Sequence, residues 1–181
     1  ATQYGQYLLV DNGFFFPEAE NWEQNAWFMM DAMKLLHTDA VNVSEKELRF
    51  GRSFLLANWK RSKLPLVSAN LWDKTTKKTL VDPWLLVKKG TVTVGVFGLT
   101  SDNVDLGVSR DSLAVEDPAA AAQRTIATLR KKGAQVVVLF LSDRPASGMV
   151  LGTIEGLLSW RRTAAPAFAE RMQPVLLETI A

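Results

Sequence analysis

The sequence predicts an α/β layered domain around a mixed sheet, and three observations carry that prediction. Short apolar runs of strand length alternate with segments of helical period. One run, "QVVVLFLS" (135–142), is apolar throughout, as expected of a strand covered on both faces. Helix boundaries are written in capping chemistry rather than left to propensity.

"YLLVD" (7–11) is a short apolar run that ends in the turn-like "DNG", and predicts a buried strand. Trp22, Ala26, Met29, Met33 and Leu36 then recur at steps of three and four, one face of a helix. "DAVNV" (39–43) predicts a second strand. Ser44 with Glu47 three residues on forms a capping box: the hydroxyl accepts from the helix backbone, and the carboxylate reaches back to the Ser44 amide. The helix it opens is expected to bury Leu48, Phe54, Leu55 and Trp59. "LPLVSANL" (64–71) predicts a third strand, and "PWLLVKKGTVTVGVFGLT" (83–100) a hairpin turning near Lys89-Gly90. Asp117-Pro118 starts a helix with apolar face Ala122, Ile126 and Leu129, closed by Arg130, Lys131, Lys132 and Gly133. Beyond residue 146, "GLLSWRR" and "AFAERMQPVLLETI" are helical in pattern, with Pro174 interrupting the second.

The composition narrows function. A chain of 181 residues, about half apolar with a net charge of +2, suits one domain and gives no case for nucleic acid or an anionic membrane. The basic clusters "NWKRSK" (58–63) and "KTTKK" (74–78) fit solvated helix ends or loops. Cysteine is absent, which excludes disulfides, zinc–thiolate sites and thiol catalysis within the chain. No apolar run is long enough to span a membrane. The chain opens on Ala1 with no signal-peptide pattern, as expected of a mature, trimmed or partial product.

Several segments in order resemble the N-terminal domain of the 5′-nucleotidase branch of the calcineurin-like metallophosphoesterases. "LLVDNGFFF" is similar to that family's "LLLDAGDFF", and "DAMKLLHTDAVNVSEKELRFG" to its "MNALGYDAVTLGNHEFDYG". "LPLVSANL" followed by "VDPWLLVKKGTVTVGVFGLTSDN" matches "FPVLSANV…KPYVIKEVNGVKVGVIGLTTP", and "QVVVLFLS" leads where the family has "VLSH". The resemblance implies a four-layer α-β-β-α sandwich of metallophosphoesterase type, expected to be incomplete at both ends. Residues 1–145 would form this domain, with 146–181 a helical segment packed on it.

The same resemblance implies a site of two divalent metals bridged by an Asp and a hydroxide that attacks phosphorus. Its ligand positions are altered in this chain. The bridging Asp falls on Phe14, whose ring has no lone pair for a hard cation. The Asn and His of "GNHE" fall on Glu45 and Lys46, and the His of "LSH" on Asp143. The family's first "D-x-H" strand would lie before residue 1, and no "G-H-x-H" follows Asp143. His37, the only histidine, falls outside the site. The expectation is therefore a pseudoenzyme with no catalytic residue and no metal or other cofactor. The alternative is a divergent phosphoesterase holding one divalent metal through Asp11, Glu45 and Asp143.

Each candidate also has a structural reading. Glu45 suits a helix N-terminus, where an acid gains roughly 0.3–1 kcal/mol, and Glu47 suits the capping box. Lys46, Arg49 and Arg52 present either an anion site or a solvated helix face. Asn42 is expected to satisfy backbone groups, and "GLTSDN" (98–103) to form either a cleft wall or a turn. Phe14, Phe15 and Phe16 are expected to fill the cleft the metals would occupy. Six tryptophans exceed what one small core needs. Trp22, Trp27, Phe28, Trp72, Trp84 and Trp160 are therefore candidates for contact with a protein partner in a larger assembly. The resemblance implies an extracytoplasmic place for that assembly, the bacterial periplasm or cell surface.

Overall fold

A computed structural model describes residues 6–16, 20–142 and 147–151, together with 170 and 172. In chain order the elements are β1 (Val10–Asp11), α1 (Trp22–Leu35), β2 (Ala40–Asn42), α2 (Glu45–Leu48), α3 (Arg52–Ser62), β3 (Leu66–Val67), β4 (Leu71–Asp73) and β5 (Lys78–Thr79). There follow β6 (Leu85–Lys89), β7 (Val92–Thr100), β8 (Leu113–Val115), α4 (Pro118–Lys131), β9 (Val136–Ser142) and β10 (Ser147–Leu151). They make a parallel sheet β1-β2-β3, a mixed sheet β10-β9-β7-β6 and a small antiparallel sheet β5-β4-β8.

Side-chain alternation stacks these pieces in four layers. Along β7, Val94 and Val96 face one core while Phe97 and Leu99 face another; along β9, Val138 and Phe140 oppose Val137, Leu139 and Leu141. The first set meets Ala40 and Val67 of the parallel sheet. The second set meets Ala121, Ala122, Ile126 and Leu129 of α4. The other face of the parallel sheet, Val41 and Leu66, packs on Met30 and Met33 of α1 and Leu55 of α3. The order is therefore helices α1–α3, sheet, sheet, helix α4, the α-β-β-α sandwich expected. Each fully buried Leu or Phe contributes about 1.5–3 kcal/mol by leaving water. Among the described residues no helix is long and apolar enough to cross a membrane.

Four local expectations are corrected. The buried face of α1 is Ala26, Met30 and Met33; Leu36 lies past the helix end and is 63% exposed. The helix after Ser44 is two helices, broken at Gly51, whose φ of 91° is outside the helical region. The strand expected over 64–71 divides between two sheets. At the break the Ala69 amide donates to the Gly98 carbonyl, and the Asn70 side chain crosses to the Thr100 backbone and the Glu116 carbonyl. The segment past residue 146 opens with strand β10, paired antiparallel with β9, and not with a helix. "GLLSWRR", Trp160 and Pro174 lie outside the described residues. The 83–100 hairpin forms as expected, Lys89 pairing with Val92 across Gly90.

Candidate functional site

The carboxyl ends of the parallel strands in both central sheets converge on residues 11–14, 42–47, 98–101 and 141–142. The Asn12 side-chain amide donates to the Leu141 carbonyl at 3.0 Å, and the Thr100 hydroxyl donates to the Val43 carbonyl at 3.0 Å. The Asn42 amide donates to Asn12 Oδ1 at 3.2 Å. Asn42 is fully buried, and its own Oδ1 accepts no hydrogen bond. That oxygen lies against Gly98, where a Cβ would fall 1.9 Å away, so only glycine fits. Asn42 thus joins the two sheets through Asn12 instead of satisfying backbone, as the sequence had suggested.

Loop 13–16 is held by Glu47. Its carboxylate accepts from the amides of Phe14 (3.2 Å), Phe15 (2.9 Å), Phe16 (3.2 Å) and Ser44 (2.9 Å), and from the Ser44 hydroxyl. The capping box expected for Ser44 and Glu47 is present, and the same carboxylate does a second task some thirty residues away along the chain. Burial pushes the Glu47 carboxyl above its ordinary range, opposed by the hydrogen bonds from Ser44, Phe14 and Phe16. Phe14 has a φ of 65°, a left-handed conformation costing a non-glycine residue roughly 1–2 kcal/mol, and its amide also donates to Ser44 Oγ at 3.0 Å. Such strain persists only where the surroundings over-determine it.

Phe15 and Phe16 turn away from the strand ends into the helix-side core, where Phe16 meets Phe50 and Phe54. The three rings were expected to fill the cleft together, yet these two do not enter it. Phe14 stays beside Ser44, half-buried, with the Lys46 ammonium 5.8 Å from its ring centre. Glu45 is half-buried in the first turn of α2. Asp11 Oδ1 accepts from the Gly13 amide at 2.8 Å and shapes the turn; burial raises its carboxyl, and that bond opposes the shift. Asp143 lies outside the described residues. Arg52 is paired with Asp73 and is not available with Lys46 and Arg49 for an anion. Ser101 Oγ accepts from the Asn103 amide, so "TSDN" is a turn. His37 is exposed, away from the strand ends.

The donors among the described residues do not fit a two-metal centre. At the position where the resemblance asks for a bridging carboxylate stands Phe14, and the Glu47 carboxylate beside it is committed to backbone amides. Among the described residues no three His, Cys, Asp or Glu side chains gather as a metal site. Sequence reasoning missed Asn12, Asn70 and Thr100 as the polar links here. The only signal was an asparagine in "DNG" and another in "SAN", which read equally well as turn formers.

No protein-family model matches the chain. The chain is 31% identical over 106 residues to Protein UshA of Escherichia coli, covering 57% of this chain and 19% of that protein. It is 28% identical over 137 residues to a 5′-nucleotidase of Vibrio cholerae, covering 72% and 24%. It therefore spans about a fifth to a quarter of the length of these curated relatives. Among solved structures it superposes on a 5′-nucleotidase precursor from Thermus thermophilus with a TM-score of 0.62 at 23% identity, covering 76% of this chain and 28% of that one. The calcineurin-like phosphoesterase YfkN of Bacillus subtilis gives 0.65 at 20% identity, covering 78% and 51%. The chain is therefore similar in sequence to part of UshA and of a 5′-nucleotidase and shares the fold of the calcineurin-like phosphoesterases, a likeness that agrees with the resemblance to the 5′-nucleotidase branch.

Proposed function

We propose that this chain is a non-catalytic member of that branch, a structural or binding subunit of an extracytoplasmic assembly. The observation that carries the reading is loop 13–16. At the position where the family resemblance asks for a metal-bridging carboxylate, Phe14 offers an apolar ring, and its amide is tied down by Ser44 and Glu47. Acids that could serve chemistry instead hold backbone: Glu47 the loop, Asp11 the turn. General acid–base or metal-ligand work requires those oxygens to be available. A protein partner is supported by the outer side of α1, where Trp27, Phe28, Leu35 and Leu36 are exposed around the Arg61–Asp31 ion pair. The extracytoplasmic place follows from the family resemblance.

The test is hydrolysis of AMP and p-nitrophenyl phosphate with added Mn²⁺ or Zn²⁺. The expected result is no turnover that a chelator abolishes. Chelator-sensitive turnover lost in Glu45→Ala would establish the rival, a divergent phosphoesterase using Asp11, Glu45 and Asp143 with one metal.

A further inference from the structure

We propose that the groove between the β4–β5 hairpin and α4 is a binding site for a small aromatic anion. The groove has a volume of about 400 Å³, within the range of small-ligand sites. It is lined by Trp72, Lys77, Lys78, Pro83, Trp84 and Arg124, among others. None of these belongs to the strand-end region, so the inference stands independently of the function proposed above.

Its chemistry divides into a closed part and an open part. The Trp72 indole donates to Glu116 Oε2 at 2.9 Å, and Arg124 pairs with the same carboxylate and reaches the Ala69 carbonyl. The Thr128 hydroxyl donates to the Arg124 carbonyl within α4. These polar atoms face each other and leave ring faces and methylene stems as the wall. The Glu116 and Arg124 charges cancel, and Glu116 sits below its ordinary range because Arg124 hydrogen-bonds it.

The remaining charge is positive. Lys77 and Lys78 are exposed at the rim, and neither ammonium has a hydrogen-bond or ion-pair partner among the described residues. Lys132 adds a third cation, 5.2 Å from the centre of the Trp84 ring. Two half-buried indoles in the wall of one groove offer apolar ring surface, and three ammonium groups near them select negative charge. A planar ring carrying a carboxylate, sulfonate or phosphate satisfies both. A neutral ring would gain only the first, and a simple inorganic anion only the second. Lys77 also holds a φ of 56°, where glycine is the more favourable residue. The hairpin thus keeps a cationic side chain at a turn position that does not call for one.

The experiment follows the six indole N–H resonances of ¹⁵N-labelled protein, with Trp72→Phe and Trp84→Phe assigning two of them. Naphthalene-2-sulfonate is titrated against the neutral 2-naphthalenemethanol. The expected result is saturable shifts at Trp72 and Trp84, with the sulfonate bound roughly tenfold more tightly than the alcohol. That preference should shrink in about 0.5 M salt, where screening is short-ranged. The double variant Lys77→Gly/Lys78→Ala should keep the other resonances in place and lose most of the tenfold preference. Equal affinity for sulfonate and alcohol, shifts confined to other tryptophans, or no shift at all would overturn the proposal. So would an undiminished preference in the double variant.

Discussion

The strand-end region and the hairpin groove contain similar residue types, acids, cations and aromatic rings, but distribute their bonding capacity in opposite ways. At the strand ends, Glu47 is consumed by Phe14, Phe15, Phe16 and Ser44, Asp11 by Gly13, and the Lys46 ammonium lies over the Phe14 ring. In the groove, Arg124 and the Trp72 indole close on Glu116, while Lys77 and Lys78 remain open among the described residues. An arrangement can therefore occupy the place of a family site and be structural. A site is better recognised by unused donors and cations beside an apolar wall than by which acids are present.

The sharpest way to break this comparison is at Glu47. Replacing it with Ala leaves the Phe15, Phe16 and Ser44 amides without their acceptor, while the Phe14 amide keeps Ser44 Oγ, at about 1–3 kcal/mol for each one that stays buried. We expect Glu47→Ala to lose more than about 3 kcal/mol in denaturant unfolding, a large part of a normal domain's stability. A loss below about 1 kcal/mol would mean that the carboxylate does not hold the loop. Next in size is Gly98→Ala, which forces a methyl onto Asn42 Oδ1 and should cost about 1–3 kcal/mol. Adding Asn42→Ala should return part of that loss, so a double-mutant cycle should show coupling between the two positions.

The pH dependence sharpens the contrast through opposite signs. Glu47 is raised by burial in the folded chain, so the native state holds its proton more tightly than the unfolded state. Its contribution is present below the unfolded value and is lost as pH rises through the folded one. Wild type should therefore lose stability relative to Glu47→Gln as pH rises through and above the ordinary carboxylate range. For Asp73, burial acts upward, but the Arg52 hydrogen bond and the Thr75 and Thr76 amides outweigh it and lower the value. Its contribution is present above the unfolded value and is lost as pH falls through the folded one. Wild type should lose stability relative to Asp73→Asn at acid pH. The smallest expected effect is Lys78→Ala, within about 0.5 kcal/mol in stability, because an exposed unpaired ammonium holds nothing in the fold.

Much of the fold was legible in the sequence, because the β9 run is apolar throughout, the 83–100 hairpin turns at Lys89-Gly90 and the α4 cap uses Asp117 with Pro118. The capping box at Ser44 was legible for the same local reason. The second duty of Glu47 was not, because nothing in the spacing announces that residues 14–16 return to it. The strand over 64–71 was misjudged because its composition is uniform, while its division depends on where the Asn70 side chain finds partners. Trp72 and Trp84 stood out as aromatic, and "KTTKK" as basic. Their meeting with Arg124 depends on α4 packing beside the hairpin, a long-range contact no local pattern carries.

The parallel register of β7 against β9 has a consequence for how the chain reaches this structure. Val94 pairs with Val136 and Thr100 with Ser142, partners about forty residues apart, with β8 and α4 threaded between them. Hairpin β6–β7 closes locally and can form early, but the central pairing must await a long loop closure. A one-residue slip of β9 at that moment would exchange Val137, Leu139 and Leu141 with Val138 and Phe140, placing each set in the core shaped for the other. The double-faced strand pair is thus expected to form late, and only its native register buries both sets of side chains in the cores that fit them.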